Sequence, residues 1–192
     1  MSIADKLEAV AQNQQRVFDA GKQSEYDAFW DGYQQKGNRV SYAVCFAGAA
    51  WNDEVYNPKY PIVSDVSNYM FWQNNAITDT KVDITLAGTQ VSNLFASCTK
   101  LKTIRKLIVS KALSTNMFSG CSSLANITFE GVIISELNMQ ACPLTTDSVQ
   151  SIVYHLNDLT GATSLKLSLK PSVGLTDEQI AEIGARNWTL VH

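Results

Sequence analysis

Apolar and polar positions follow three regimes along this chain, and each predicts a different kind of element. Over residues 1–36 the apolar positions Ile3, Leu7, Val10 and Val17, with Gln14 between, step by four and three. That is the seam of an amphipathic helix, opened by a Ser2 cap with Asp5 three residues on. Gly21 interrupts the seam, and Tyr26, Phe29, Trp30 and Tyr33 then form a second helical face at i, i+3, i+4 and i+7. A helix this short is marginal alone, so the seam must be covered. Two partners are open: the rest of the chain, as a cap on its first layer, or another subunit to which Ile3, Leu7, Val10 and Val17 dock. Gly37 and Asn38 break the pattern. The apolar run at 42–47 then predicts a buried strand.

Residues 48–75 show no clean period. They hold Pro58 and Pro61, several Asn and Asp, and many aromatic rings, which predicts a long structured connection. Trp51, Tyr56, Tyr60 and Trp72 are its candidate binding residues, since loop aromatics can grip a sugar or a peptide. The alternative is that these rings anchor the loop to the core.

The third regime is a repeat. NLFASCTKLKTI at 93–104 is followed, 23 residues later, by NMFSGCSSLANI at 116–127. Phe95 falls in register with Phe118, Cys98 with Cys121, Leu101 with Leu124 and Ile104 with Ile127. A period of 23 lies in the leucine-rich-repeat range, in which each unit is a strand plus a turn and equivalent residues stack across a parallel ladder. The pattern fades outward, to Tyr69, Met70, Phe71 and Ile77 on one side and Asn138, Met139, Cys142 and Leu144 on the other. Strands are expected at 82–88, 107–109, 127–129, 165–169 and 188–191, about six coils in all. Helices are expected from Val149 to Leu159 and from the Thr176/Gln179 capping box onward. The predicted class is α/β: a short right-handed leucine-rich-repeat solenoid with a parallel sheet over 37–192, capped by helices at both ends, preceded by the 1–36 helical segment.

FASCTKLKTI and FSGCSSLANI resemble the BspA-like class of bacterial leucine-rich repeats over roughly 69–145, whose units read Phe, two small residues, Cys, two small or polar residues, Leu, two more and Ile. The opening SIADKLEAVAQNQQRVFDAG, with FWDGYQQKGNR, WNDEVYNPKYPI and LTDEQIAEIGARNWTLV, is similar to prophage-encoded repeat proteins of Gram-positive bacteria. The resemblance implies a tail- or baseplate-region part with no catalytic residues to carry over, virion-associated if phage-encoded. The broader class also includes surface adhesins.

Composition narrows the partners. Net charge is −3 and the isoelectric point about 5.3, so no positive field collects phosphates, and nucleic acid is not expected. The start MSIADKLEAV lacks a signal-peptide pattern and no run of 18 apolar residues occurs, which predicts cytoplasmic synthesis without membrane insertion. Cys45, Cys98, Cys121 and Cys142 show no metal spacing and are expected as buried reduced thiols. His155 and His192 are poorly placed for catalysis, and no nucleophile, phosphate-loop or zinc motif is present. Asp53, Glu54, Asp65, Asp79 and Asp83 are the densest carboxylate supply for a glycan-active enzyme, although acidic residues in turns are usually only solvated. The expected function is therefore non-enzymatic assembly through a protein partner or homo-oligomer, with no metal or cofactor. Recognition of a cell-surface glycan or protein is the alternative.

Overall fold

Short apolar alternations separated by turns give parallel strands when each strand returns to the same side of the sheet. In the computed structural model, which describes residues 40–41, 45–48, 51–54, 56–58 and 60–192, this occurs repeatedly. The chain divides into two units, Met1–Gly37 and Asn38–His192, and every described residue belongs to the second. Ile3, Leu7, Val10 and Val17, and the aromatic face that follows them, lie outside the described residues.

Five strands, β1 (Val40–Ser41), β2 (Ile62–Val66), β3 (Asp83–Gln90), β4 (Thr103–Val109) and β5 (Asn126–Gly131), form one sheet in chain order. All pairs are parallel. Asp83 faces Lys106 and Thr103 faces Asn126, so the 23-residue period is also the pairing register of these strands. A second parallel sheet holds β6 (Leu137–Met139), β7 (Leu165–Leu169) and β8 (Trp188–Val191). Helix α1 (Thr146–His155) lies between β6 and β7, and α2 (Asp177–Ala185) between β7 and β8. The architecture is α/β with parallel sheets.

The core is a column of rings behind the turns. Phe71 stacks on Phe95 at 5.2 Å and 14°, and Phe95 on Phe118 at 5.9 Å and 10°. Phe46 tops the column 5.0 Å from Phe71, and Phe129 closes its far end edge-on. Backbone bonds hold the rings in line. The N–H of Phe46 donates to Met70 O, that of Phe71 to Leu94 O and that of Phe95 to Met117 O, at 2.8, 2.9 and 3.0 Å. Leu101, Leu107 and Leu124 are fully buried beside them.

Helix α1 takes over where the first sheet ends. Ser148 Oγ accepts from Ile127 N–H and Ser151 Oγ from Phe129 N–H, at 2.9 and 2.8 Å. Side-chain hydroxyls thus satisfy the edge of β5, which would otherwise offer open donors. The expected helix through Leu159 stops earlier, at His155. Ile133 N–H donates to His155 O and Asn157 N–H to Ile133 O, and this bridge draws Leu156 into extended backbone. In α2 the Thr176/Gln179 capping box forms in both directions.

Two expectations need correction. Of the strand expected at 42–47, residues 42–44 lie outside the described residues, and Cys45 and Phe46 sit in a turn, because Phe46 is the top ring of the column; the strand β1 is at Val40–Ser41. The structured connection expected at 48–75 contains a strand, β2, besides a complete turn at 67–74. The strand expected at 188–191 is the last element, β8, with α2 packed against it.

Candidate functional site

The turns on the Phe column share one backbone shape. Gly48, Gln73, Ser97 and Gly120 hold equivalent places and all have positive φ, at 77°, 55°, 64° and 76°. Tyr69 and Asn93 form a second equivalent pair, at 57° and 50°. Asn tolerates left-handed backbone, whereas a bulky residue there is strained by roughly 1 kcal/mol or more. Tyr69 therefore holds a conformation that its neighbour fills with the favoured residue.

What the substitution presents is an aromatic pair. Tyr69 is 41% and Trp72 38% exposed, and their rings meet edge to face at 5.8 Å and 79°. The next turn places Asn93 and Ala96 at these positions, and the one after it Asn116 and Ser119. The pair thus stands above small neighbours. Polar side chains frame it: Asn68 Oδ1 accepts from the Ser92 N–H and hydroxyl, and Asn75 Oδ1 from those of Thr99. Although 17% of the chain is charged, residues 67–76, 91–99 and 114–123 contain no Asp, Glu, Lys or Arg, and exposed Lys100 follows directly on the middle segment.

The four predicted ring residues separate. Tyr56 is fully buried, donates its hydroxyl to Thr80 O at 2.9 Å, and packs edge-on to Phe46 and Phe71. It anchors the loop and is not accessible to a ligand. Trp51 is half-buried against the Phe46 ring at 5.0 Å. Tyr60 is exposed but precedes β2 whereas Trp72 follows it, so a strand of roughly 17 Å lies between them. Only Trp72 joins the exposed pair. Tyr69 escapes the sequence reading, yet aligning YMFWQN at 69–74 with NLFASC at 93–98 picks out both positions.

The nominated carboxylates are engaged in turns or on the surface. Asp53 accepts from the Thr78 N–H and hydroxyl at 2.9 and 2.7 Å. Asp79 accepts from Lys81 N–H, and Asp83 lies 3.9 Å from Lys106, which also pairs with Glu130 at 2.9 Å. Glu54 is exposed and Asp65 lies in β2. No cluster of metal-ligating residues occurs among the described residues. His155 places Nδ1 2.7 Å from Ser151 O, beside a groove of about 400 Å³ lined by Val132, Tyr154, Asp158 and Arg186. His192 is exposed at the terminus.

The thiols are reduced, three buried and Cys45 half-buried. The Sγ–H of Cys98 donates to Phe71 O and that of Cys121 to Phe95 O, at 2.9 and 3.0 Å, while buried Asn74 makes the equivalent bond to Phe46 O. Burial pushes Cys45 up to about 11 and Cys121 to about 12 from the ordinary 9.0, and raises Cys98 and Cys142 as well. The neutral thiol is thus the form the fold favours. Its stabilising contribution is complete below pH 9 and is lost as pH climbs through the raised values. Urea unfolding should show stability falling above pH 9, by at most about 1.4 kcal/mol per pH unit for each thiol in transition. A Cys121→Ser variant should lose part of that slope.

Compared with protein families, with curated proteins and with solved structures, the chain matches none.

Proposed function

We propose that Asn38–His192 is a short leucine-rich-repeat solenoid of the BspA-like kind and that the protein is a non-enzymatic contact part. The register of 23 residues, the ring column and the repeated left-handed turns support the solenoid reading. In this reading the first 36 residues dock by protein–protein contact to a larger particle or to a second copy. The resemblance to prophage repeat proteins makes that particle a virion tail, reached after cytoplasmic synthesis. The turn ridge around Tyr69 and Trp72 is the recognition surface.

One observation carries this reading: a strained, exposed Tyr69 held against an exposed Trp72 where the neighbouring turns carry Asn, Ala and Ser. Strained residues that the surrounding fold over-determines cluster at ligand contacts, and Tyr and Trp dominate contact hot spots. The membrane interior is not a partner for the described helices, since none is long and apolar enough to span it.

The test uses the repeat's own substitutions. Tyr69→Asn with Trp72→Ala installs what the next turn carries, so the fold should be retained. The labelled 192-residue chain is expected to bind intact Gram-positive cells, and the double variant to bind about 30-fold less, the effect of losing one hot spot of roughly 2 kcal/mol. Equal cell binding by wild type and double variant, with equal melting curves, would remove the ridge from the function.

A further inference from the structure

We infer that the ridge takes a neutral glycan chain, laid across successive turns with one sugar ring on the Tyr69–Trp72 pair. This rests on the reading of the ridge as the recognition surface and adds the chemistry of its ligand. Three properties of the ridge lead to it.

The first is the pair itself. A pyranose ring presents C–H groups on one face and hydroxyls at its rim, so it needs a small apolar platform bordered by hydrogen-bonding groups. Two rings 5.8 Å apart, flanked by Asn68, Gln73 and Asn75, supply that combination. The Asn68 and Asn75 oxygens are already occupied by Ser92 and Thr99, which fixes both amide planes. The exposed Asn75 amide therefore turns its Nδ2 donors to solvent.

The second is the absence of charge. The turn residues 67–76, 91–99 and 114–123 hold no Asp, Glu, Lys or Arg, in a chain where 17% of residues are charged, and a single exposed cation, Lys100, follows directly on the middle segment. An anionic polymer would call for Lys or Arg, and a cationic one for carboxylates. Neutral hydroxyls instead match neutral amides and hydroxyls, and covering these on binding costs far less than covering a charge.

The third is repetition. Below the aromatic pair, Asn93 and then Asn116 recur at the place of Tyr69, and Thr99 and then Ser122 at the place of Asn75. The N–H of Ser97 donates to Ser119 O and that of Gln73 to Ala96 O, so the turns are held at ladder spacing, about 4.8 Å apart. That distance is comparable to the length of one sugar ring, so a linear polymer meets an Asn and a hydroxyl at each of the two following turns. A protein partner would want more apolar area: stable protein interfaces bury roughly 1,200–2,000 Å² with several anchors, and here the flanking positions are Ala and Ser.

The probes are short and long neutral oligosaccharides of glucose, mannose, galactose and N-acetylglucosamine, titrated into the full chain by calorimetry. At least one series should bind, with affinity rising with chain length and unchanged between low and high salt. Trp72→Ala should weaken every ligand about 30-fold. Asn116→Ala, two turns away, should weaken the long oligosaccharides and leave the short ones alone. Binding to none of the series, binding kept by Trp72→Ala, or affinity that falls with salt overturns the inference. If the chain binds cells through Tyr69 and Trp72 yet binds no neutral oligosaccharide, the ligand is a protein: the recognition surface stands and the glycan assignment fails. If cell binding ignores the pair, both fall.

Discussion

Replacing Phe95 with Ala is expected to destabilise the protein by about 3–5 kcal/mol, read as a lower urea midpoint at unchanged slope. Phe95 is fully buried and stacked on both faces, by Phe71 at 5.2 Å and Phe118 at 5.9 Å. Truncation removes the transfer free energy of the ring and leaves a gap that neither neighbour can close. Their backbones are tied in turn, Phe71 N–H donating to Leu94 O and Phe118 O accepting from Cys121 N–H. Leu101→Ala, also at a fully buried position, should cost about 2–5 kcal/mol, and Leu124→Ala the same. Lys102→Ala sets the baseline. Its side chain is exposed, and its carbonyl, which accepts from the Ala125 and Asn126 N–H groups, survives the change. A near-zero effect is expected there. Equal small losses at all four positions would mean that the column does not carry the core.

The same contacts explain what is readable in the sequence. Side chains that stack across a parallel ladder must be alike in size, so Phe95 with Phe118 and Cys98 with Cys121 recur in register, and the parallel sheet follows from the period. Strands β7 and β8 fall at the expected residues because their apolar runs are bounded by turns. The turn before them hides itself through two exchanges. Asn74 replaces Cys at the position that bonds back to the previous Phe carbonyl, so the motif reads YMFWQN and its strand β2 is mistaken for loop. Strand β2 also buries Ser64, which satisfies itself by donating to Val66 O and breaks the apolar alternation. Phe46 misleads in the opposite sense: its apolar surroundings resemble a strand, although the ring belongs to the turn column.

Site residues are less readable, because exposure is a tertiary property. Tyr56 and Trp72 are both bulky rings in the same connection, yet one is sealed between Phe46 and Phe71 and the other stands at the surface. Composition cannot separate them. The usable signal is departure from the repeat: where one turn carries Tyr and Trp and the next carries Asn and Ala, packing does not require the rings. That comparison needs the register, which at 69–74 is blurred by Asn74.

A larger backbone effect is expected at Gly131, where Ala should destabilise by about 3 kcal/mol in urea unfolding. Gly131 ends β5 at φ 90°, a conformation closed to residues with a Cβ, and an added Cβ would run into the carbonyl of Val109 on the neighbouring strand. Backbone cannot swing aside as a side chain can, so β4 and β5 must separate locally. Beyond Gly131 the chain enters the bridge between Ile133 and the end of α1, and displacing it also loosens the Ile133–His155 and Asn157–Ile133 bonds. Gly161→Ala separates the two contributions. Gly161 has φ 80°, and nothing lies within 4 Å of an added Cβ. It should therefore lose only the conformational part, about 1–2 kcal/mol. The excess at Gly131 measures how closely the last strand of the first sheet is held against its neighbour. An equal loss at the two glycines would mean that β5 is free to move away from Val109, and with it the covering of the strand edge by Ser148 and Ser151.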